Sequence, residues 1–268
     1  KRELFYKNYV YKGLQTIYVV HSFKTETYFG EEPAKMKELY DRNFKTVTVS
    51  EAIQNKLKTE LNLHNTQCIY NPFDTIWKEK SEEVIYPIKQ PFILSYGRID
   101  DDVKDFSFLI RSYHHSELWK EGLRLVIMGE GKDENKLKTL VEELALTEYI
   151  EFLPFAANPF PYISQAHMVA LTSKWEGFPM VLVESLSLGI PVVSLDINSG
   201  PSEIINHRKN GLLVTEREFP AFAGAMRELF ENQSLYATCK ENAQASVSQF
   251  SKEVIAAAWT KILQEFLT

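Results

Sequence analysis

KWEGFPMVLVESLSLGIPVVSL, residues 174–195, places two carboxylates, Glu176 and Glu184, around an apolar run that otherwise belongs out of water. Pro179 suits the first turn of a helix, where its missing N–H is no loss, and Gly189 followed by Pro191 ends it. A helix over 179–188 is therefore predicted, with a strand at 192–195. Glu176 then lies in the loop just ahead of the helix, and Glu184 lies between one and two turns inside. Eight residues of helix rise roughly 12 Å and rotate about 80°, so both carboxylates can face one side. Midway between them the helix amino end, around Phe178, Pro179, Met180 and Val181, offers unpaired amides and a positive dipole end, a seat for a pyrophosphate. A hexose and a ribose joined by a pyrophosphate span a comparable distance, so the spacing suits a nucleotide sugar. An acidic residue before a helix is common on its own account, but a lone surface charge is less expected within MVLVESL, where Glu184 falls.

Outward from this stretch, short β-rich runs alternate with helical patterns. Strands are predicted at 16–20, 46–49, 67–70, 92–96, 124–128, 150–153, 168–171 and 192–195, and helices at 51–61, 106–114, 135–143, 179–188 and 221–231. Nearly all-apolar strands in a βαβα rhythm indicate parallel sheets covered on both faces. The turn-prone Asn71-Pro72, the charged WKEKSEE and the prolines at 87 and 91 mark a break. The organisation expected is the C-terminal part of an N-terminal domain over 1–75, a linker over 76–90, a complete α/β domain over 91–250 and a terminal packing helix over 251–268. Too few strands precede the break to finish a sheet and the chain opens on Lys1, so the N-terminal domain is expected to be only partly present.

With 268 residues, 44% hydrophobic and 25% charged, the chain can bury a sizeable core without staples. Cys68 and Cys239 stand far apart in no metal-ligand spacing, against a disulfide framework or zinc site and in keeping with a reducing compartment. A cytoplasmic location is expected. A net charge of −6 argues against nucleic acid as a partner. The first 60 residues are mildly basic, which fits solvated helix faces and also allows peripheral contact with the inner face of a membrane.

The segment 174–195 resembles the E-x7-E motif of the retaining glycosyltransferases of the GT-B fold, family 4, the group 1 glycosyltransferases. The likeness continues through SYGRIDDDVKDFSFLI (95–110), LVIMGEGKDENKLKTL (125–140), IEFLPFAANPFPYISQAHMVALTSKWEGFPMVLVESLSLGIPVVS (150–194) and SGPSEIINHRKNGLLV (199–214), in that family's order. Upstream, VVHSF (19–23) and TVSEAIQNKL with IYNPFD (48–74) resemble the second half of its N-terminal domain. E-x7-E alone would not be specific, but the combination is. The resemblance implies an α/β, GT-B architecture of two Rossmann-like domains.

By the same resemblance Gly97, Arg98 and Lys104 bind the donor pyrophosphate, two fixed cations neutralising the departing diphosphate without a metal. Glu176 would hold donor-sugar hydroxyls near the reacting carbon and Glu184 the ribose hydroxyls. Phe178, Pro179, Met180 and Val181 would approach sugar and phosphate, while Gly129, Leu153, Pro154 and Phe155 would border the base. Gly129-Glu130-Gly131 departs from the family's G-x-G-P in having Lys132. His21 would face the donor sugar from the opposite domain. Without the motif, Lys104 reads as a solvated loop lysine, Arg98 as a surface ion pair with a nearby aspartate and His21 as a hydrogen-bonded structural residue. Asp100-Asp101-Asp102 contains a D-x-D that could hold Mg or Mn, yet within the phosphate loop it reads as a solvated acidic stretch, and neither metal nor cofactor is expected. Glu203 reads as a helix cap. His64, His114, His115, His167 and His207 receive no role.

The chemistry implied is transfer of a hexose or hexosamine from a nucleotide sugar, with UDP the expected nucleotide, to a glycan or lipid-linked acceptor in bacterial surface-polysaccharide synthesis. A double displacement needs a carboxylate nucleophile beneath the anomeric carbon, and no residue stands out for it. The implied course is reaction on one face, with the leaving phosphate helping to deprotonate the acceptor. Glu176 and His21 are the expected catalytic residues. A sugar-nucleotide 2-epimerase of the same fold and a non-catalytic nucleotide-sugar binding module are the alternatives.

Overall fold

The structure is a computed structural model that describes residues 15–24, 26, 37–38, 40–82, 88 and 90–267. Among them every strand pairing is parallel, in two sheets. The first sheet contains β1 (Ile17–Val20), β2 (Lys45–Thr48) and β3 (Thr66–Cys68) in that order, with helix α1 (Glu51–Leu61) crossing from β2 to β3. Ser50 starts α1, its extended backbone letting Oγ accept from the Ile53 amide at 3.3 Å, and Asn62 closes it in the left-handed conformation.

The chain then passes through α2 (Ile76–Lys80) into the second unit: β4 (Phe92–Tyr96), α3 (Phe106–Ser116), β5 (Arg124–Met128), α4 (Glu134–Glu143), β6 (Ile150–Leu153), α5 (Phe160–Gln165), β7 (Met168–Leu171), α6 (Met180–Ser187), β8 (Val192–Leu195), α7 (Pro201–Ile204), β9 (Gly211–Val214), α8 (Phe219–Glu231) and α9 (Gln233–Ser246). The strands lie in the order β6-β5-β4-β7-β8-β9. Alternation along each strand serves two cores. Phe92, Leu94 and Tyr96 face the cluster shared with the first unit, whereas Ile93 faces the cluster built on Leu109, Ile127 and Phe222. This double burial is why the strands are apolar on both faces.

Eight of the nine strands lie where predicted, to within one or two residues. Among the described elements β9 is the omission, along with α2, α5, α7 and α9; β9 opens on a glycine and offers only three apolar residues. The 179–188 helix runs Met180–Ser187, with Pro179 as its N-cap at φ −74° and ψ 93° rather than in its first turn. Part of the 76–90 segment is ordered packing: Trp77 of α2 stacks on Phe160 with ring centroids 5.0 Å apart. Residues 83–87 and 89 of that segment lie outside the described residues.

The terminal helix α10 (Lys252–Leu267) leaves the second unit and lies on the first sheet, where Ile255 and Ile262 pack with Val47 and Ile69. The chain therefore crosses between units twice, and the crossings are bonded side by side: the Phe73 amide donates to Phe250 O at 2.9 Å and the Lys252 amide to Phe73 O at 3.0 Å. At that junction the rings of Tyr70, Phe178 and Phe250 meet with centroids 4.9–5.1 Å apart. Phe250 is fully buried. Replacing it with alanine is expected to lower unfolding stability by about 3–5 kcal/mol, read from urea denaturation. A loss below about 1 kcal/mol, the range of exposed substitutions, would mean that this junction does not hold the units together.

Candidate active site

The second sheet reverses its winding between β4 and β7. From β4 the chain builds outward through β5 and β6, and from β7 through β8 and β9, so the two halves of the sheet wind away from each other and leave a crevice at the carboxyl ends of β4 and β7. Two loops meet there, 97–105 after β4 and 172–179 after β7. The Lys174 amide donates to Val103 O at 2.8 Å, and Thr172 Oγ1 donates to the carbonyls of Lys104 and Asp105 at 3.2 and 3.0 Å. Arg217 joins both loops, with its guanidinium 2.7 Å from Asp105 Oδ2 and 2.6 Å from Ser173 O.

This lacing brings Lys104 Nζ to 2.7 Å from Glu176 Oε1, and Ser173 Oγ donates to the same oxygen at 2.6 Å. The two charged side chains are only 19% and 13% exposed, so the pair is shielded and charge-assisted rather than a surface contact. Glu184, in α6, accepts from the Tyr96 hydroxyl at 2.5 Å. Burial pushes the Glu184 carboxyl above its ordinary 4.5, against the pull of the Tyr96 hydrogen bond and the Lys104 charge. Burial and that carboxylate hold the Tyr96 phenol well above its usual value. One ammonium thus answers both glutamates, directly for Glu176 and through space for Glu184, so the two do not point to separate surfaces.

Two glycines let backbones close over the crevice. A Cβ on Gly129, whose φ is +150°, would lie 1.9 Å from Gly97 O, and a Cβ on Gly177 would lie 1.9 Å from His21 O. The second contact brings the main chain of His21, from the first unit, against the loop carrying Glu176. Ser199 Oγ donates to Gly177 O at 2.7 Å and lies 2.9 Å from Ser50 Oγ, adding another tie across the units.

The remaining predicted residues are spread around this centre. Gly97 follows β4 directly, with its amide donating to Met128 O at 3.0 Å. Arg98 is 70% exposed, its guanidinium 3.6 Å from Asp100, the surface ion pair that its neighbours alone predicted. Met180 and Val181 are half-buried in the first turn of α6 and Pro179 is buried ahead of it. The Phe178 side chain does not approach a donor: it is 6% exposed within the aromatic junction, so this position can offer only main chain. Leu153 O accepts from the Gly129 amide at 3.0 Å, and Phe155 stands 66% exposed beyond Pro154.

The acidic stretch is not uniformly solvated. Asp101 is buried and accepts from the Ser107 amide at 2.8 Å and from Lys136 Nζ at 2.7 Å, fixing the first turn of α3. Carboxylate oxygens of Asp100, Asp102 and Asp133 approach within 4.8 Å of one another. Lys132, the residue that departs from G-x-G-P, puts its ammonium 3.4 Å from Asp100 and 2.7 Å from Asp102. A lysine therefore neutralises the oxygen set that a cation would need. Glu203 does cap a helix, but one in the other unit: it accepts from the amides of Glu51 and Ala52 at 2.7 and 3.1 Å. Burial and the Glu203 charge push the Cys68 thiol up to about 12, and both cysteines are free. Tyr96, Ser173 and Ser199 escaped the sequence reading. A tyrosine ending an apolar strand reads as core, and isolated serines carry no signal of their own.

The parallel winding of this sheet and the crevice at its switch point define a Rossmann-like unit of the GT-B architecture. Residues 77–246 match the family described as glycosyl transferases group 1, and the chain belongs to it. It is 35% identical over 193 residues to the N-acetylgalactosamine-N,N'-diacetylbacillosaminyl-diphospho-undecaprenol 4-alpha-N-acetylgalactosaminyltransferase of Campylobacter jejuni, covering 71% of this chain and 51% of that protein. It is 25% identical over 221 residues to the amylovoran biosynthesis glycosyltransferase AmsD of Erwinia amylovora, covering 82% and 62%. The chain spans about half the length of the curated relatives it matches. Among solved structures, Anabaena HepE in complex with UDP superposes with a TM-score of 0.84 at 22% identity, over 94% of this chain and 72% of that one. TarM of S. aureus superposes at 0.79 and 21%, over 94% and 50%.

The raised Glu184 carboxyl has a measurable sign. Its folded form holds a proton that the unfolded chain has already released above about 4.5, so its contribution to stability falls as pH rises through that value toward the raised one. Glu184→Gln has no such titration, so the melting temperature of the variant minus that of the parent is expected to grow between pH 4 and pH 7. A flat or falling difference would contradict the burial assigned to Glu184.

Proposed function

We propose that the chain carries the donor site of a retaining glycosyltransferase that takes a nucleotide sugar, with UDP as nucleotide, at the amino end of α6. The observation that carries this reading is the shielded Lys104–Glu176 pair beside that helix end, with Glu184 on Tyr96 further along the same helix. Supporting it are the group 1 glycosyl transferase membership and the UDP named with the Anabaena structure.

In this reading the incoming diphosphate competes with Glu176 for Lys104. The ammonium turns to the phosphate, the α6 amides and Arg98 share the charge, and Glu176 is released to accept hydroxyls of the donor sugar. As the bond from the anomeric carbon to the phosphate breaks, negative charge grows on the diphosphate, where Lys104 is already placed. Glu184 takes the ribose hydroxyls. Glu176, bonded by Ser173 and, once Lys104 has turned to the phosphate, by the donor-sugar hydroxyls, does not stand free as a nucleophile, which favours reaction on one face with the leaving phosphate accepting the acceptor's proton. His21 walls the sugar from the first unit. Lysine and arginine provide the countercharge, so no metal is required.

The Campylobacter relative is named for adding N-acetylgalactosamine to a diphospho-undecaprenol-linked glycan. A hexose or hexosamine donor and a lipid-linked or polysaccharide acceptor are proposed here on that likeness. Among the described residues no helix is long and apolar enough to cross a membrane. Peripheral contact with the inner face of the membrane, where a lipid-linked acceptor would be met, is part of this proposal.

Lys104→Ala is expected to weaken UDP binding and to lower kcat by about 10²–10³-fold, the range for removing one fixed countercharge from a transition state. Glu176→Gln should bind UDP at least as tightly as the parent, because the competing carboxylate on Lys104 loses its charge, while losing transfer. Calorimetry with UDP and a radiolabelled transfer assay separate the two effects. Full transfer by Glu176→Ala would overturn the role given to Glu176.

A further inference from the structure

Beside Glu176, on the side of the first unit, lies a cavity of about 270 Å³ lined by Phe23, Lys24, Trp175, Glu176, Asn198 and Ser199, among others. Glu176 belongs both to this cavity and to the Lys104 pair, so anything filling the cavity lies next to the donor sugar. Its floor is unlike the rest of the crevice. Trp175 is 38% exposed, and the only charged group drawn over its ring among the described residues is Lys24, whose ammonium sits 3.7 Å from the ring centroid.

Three lysines border the cavity, and two have other partners. Lys56 donates to Phe23 O at 3.0 Å and lies 3.9 Å from both Glu26 and Glu60. Lys174 donates to Asp101 O at 3.2 Å and lies 3.6 Å from Asp105. Lys24 rests on the indole with no carboxylate of the described residues at ion-pair distance. A cation over an exposed indole is held weakly and is easily displaced.

An exposed indole face flanked by a carboxylate and an amide is the chemistry that grips a pyranose, with the C–H face of the sugar on the ring and its hydroxyls on Glu176 and Asn198. A sugar laid on Trp175 must displace the Lys24 ammonium. The displaced charge then stands beside the bound sugar and favours a ligand that brings its own anion. We propose that this cavity is an acceptor subsite for a pyranose bearing a phosphate or diphosphate, with the ring stacked on Trp175 and the anion paired with Lys24. This rests on the donor reading above, which sets the reacting sugar at Glu176.

Isothermal titration of the protein, with and without saturating UDP, tests it with three probes: methyl N-acetylgalactosaminide, N-acetylgalactosamine 1-phosphate and the same sugar joined through a diphosphate to farnesol. The charged probes are expected to bind about threefold more tightly than the neutral one, the effect of one exposed ion pair. Lys24→Gln should abolish that preference and leave the neutral probe unchanged, while Trp175→Ala should weaken all three by about tenfold. The farnesyl probe binding above the 1-phosphate supports a lipid-linked source, and equal binding supports a soluble sugar phosphate. A preference that survives Lys24→Gln, or parental binding by Trp175→Ala, overturns the subsite. Absence of UDP binding in the parent would sink the donor reading alone, because the Lys24 and Trp175 comparisons are also read without UDP.

Discussion

A single ammonium, that of Lys104, holds the centre of this structure. Burial strips hydration from the Glu184 carboxylate and favours its protonated form. Lys104 answers Glu176 at bonding distance and tempers Glu184 through space. Its position is not local to its own loop. It depends on β4 lying beside β7, on Thr172 holding the Lys104 and Asp105 carbonyls, and on Arg217 reaching in from the loop before α8. The charge arrangement is thus the product of the sheet's winding order.

That dependence explains what could be read from the sequence and what could not. The runs 92–94 and 125–128 announce themselves because burial on both faces demands consecutive apolar residues. Helix α9 does not, because it buries only Leu235, Cys239 and Ala243, a stripe one residue wide in an otherwise polar segment. The glutamates and Lys104 were legible through the resemblance, which assigns roles to positions. The ion pair joining residues 104 and 176 was not, since nothing in either loop encodes the other; strand adjacency creates it. Phe178 shows the reverse case. Its place in the motif marks it for the donor, but its ring is needed by Tyr70 and Phe250, and an aromatic cannot be in both environments. Asp101 likewise reads as loop polarity until its bonds to Ser107 and Lys136 reveal a helix start.

The two units are joined by polar contacts as well as by the aromatic junction. Glu203 supplies the negative charge that the amino end of α1 calls for, and Ser50 meets Ser199. The Glu203 contact with the Glu51 amide is exposed, and water can replace it at little cost, whereas the Ser50–Ser199 contact is buried and would leave unpaired hydroxyls if broken. The units are therefore held by buried polar bonds as well as by the apolar packing around Phe250.

The return of α10 to the first sheet has a mechanical consequence. Two strands of chain run side by side through the junction at Phe73 and Ser251, bonded to each other in both directions. A single tether would let one lobe swivel freely about the other. A doubled one resists torsion, which keeps the loop of Glu176 in register with the backbone of His21.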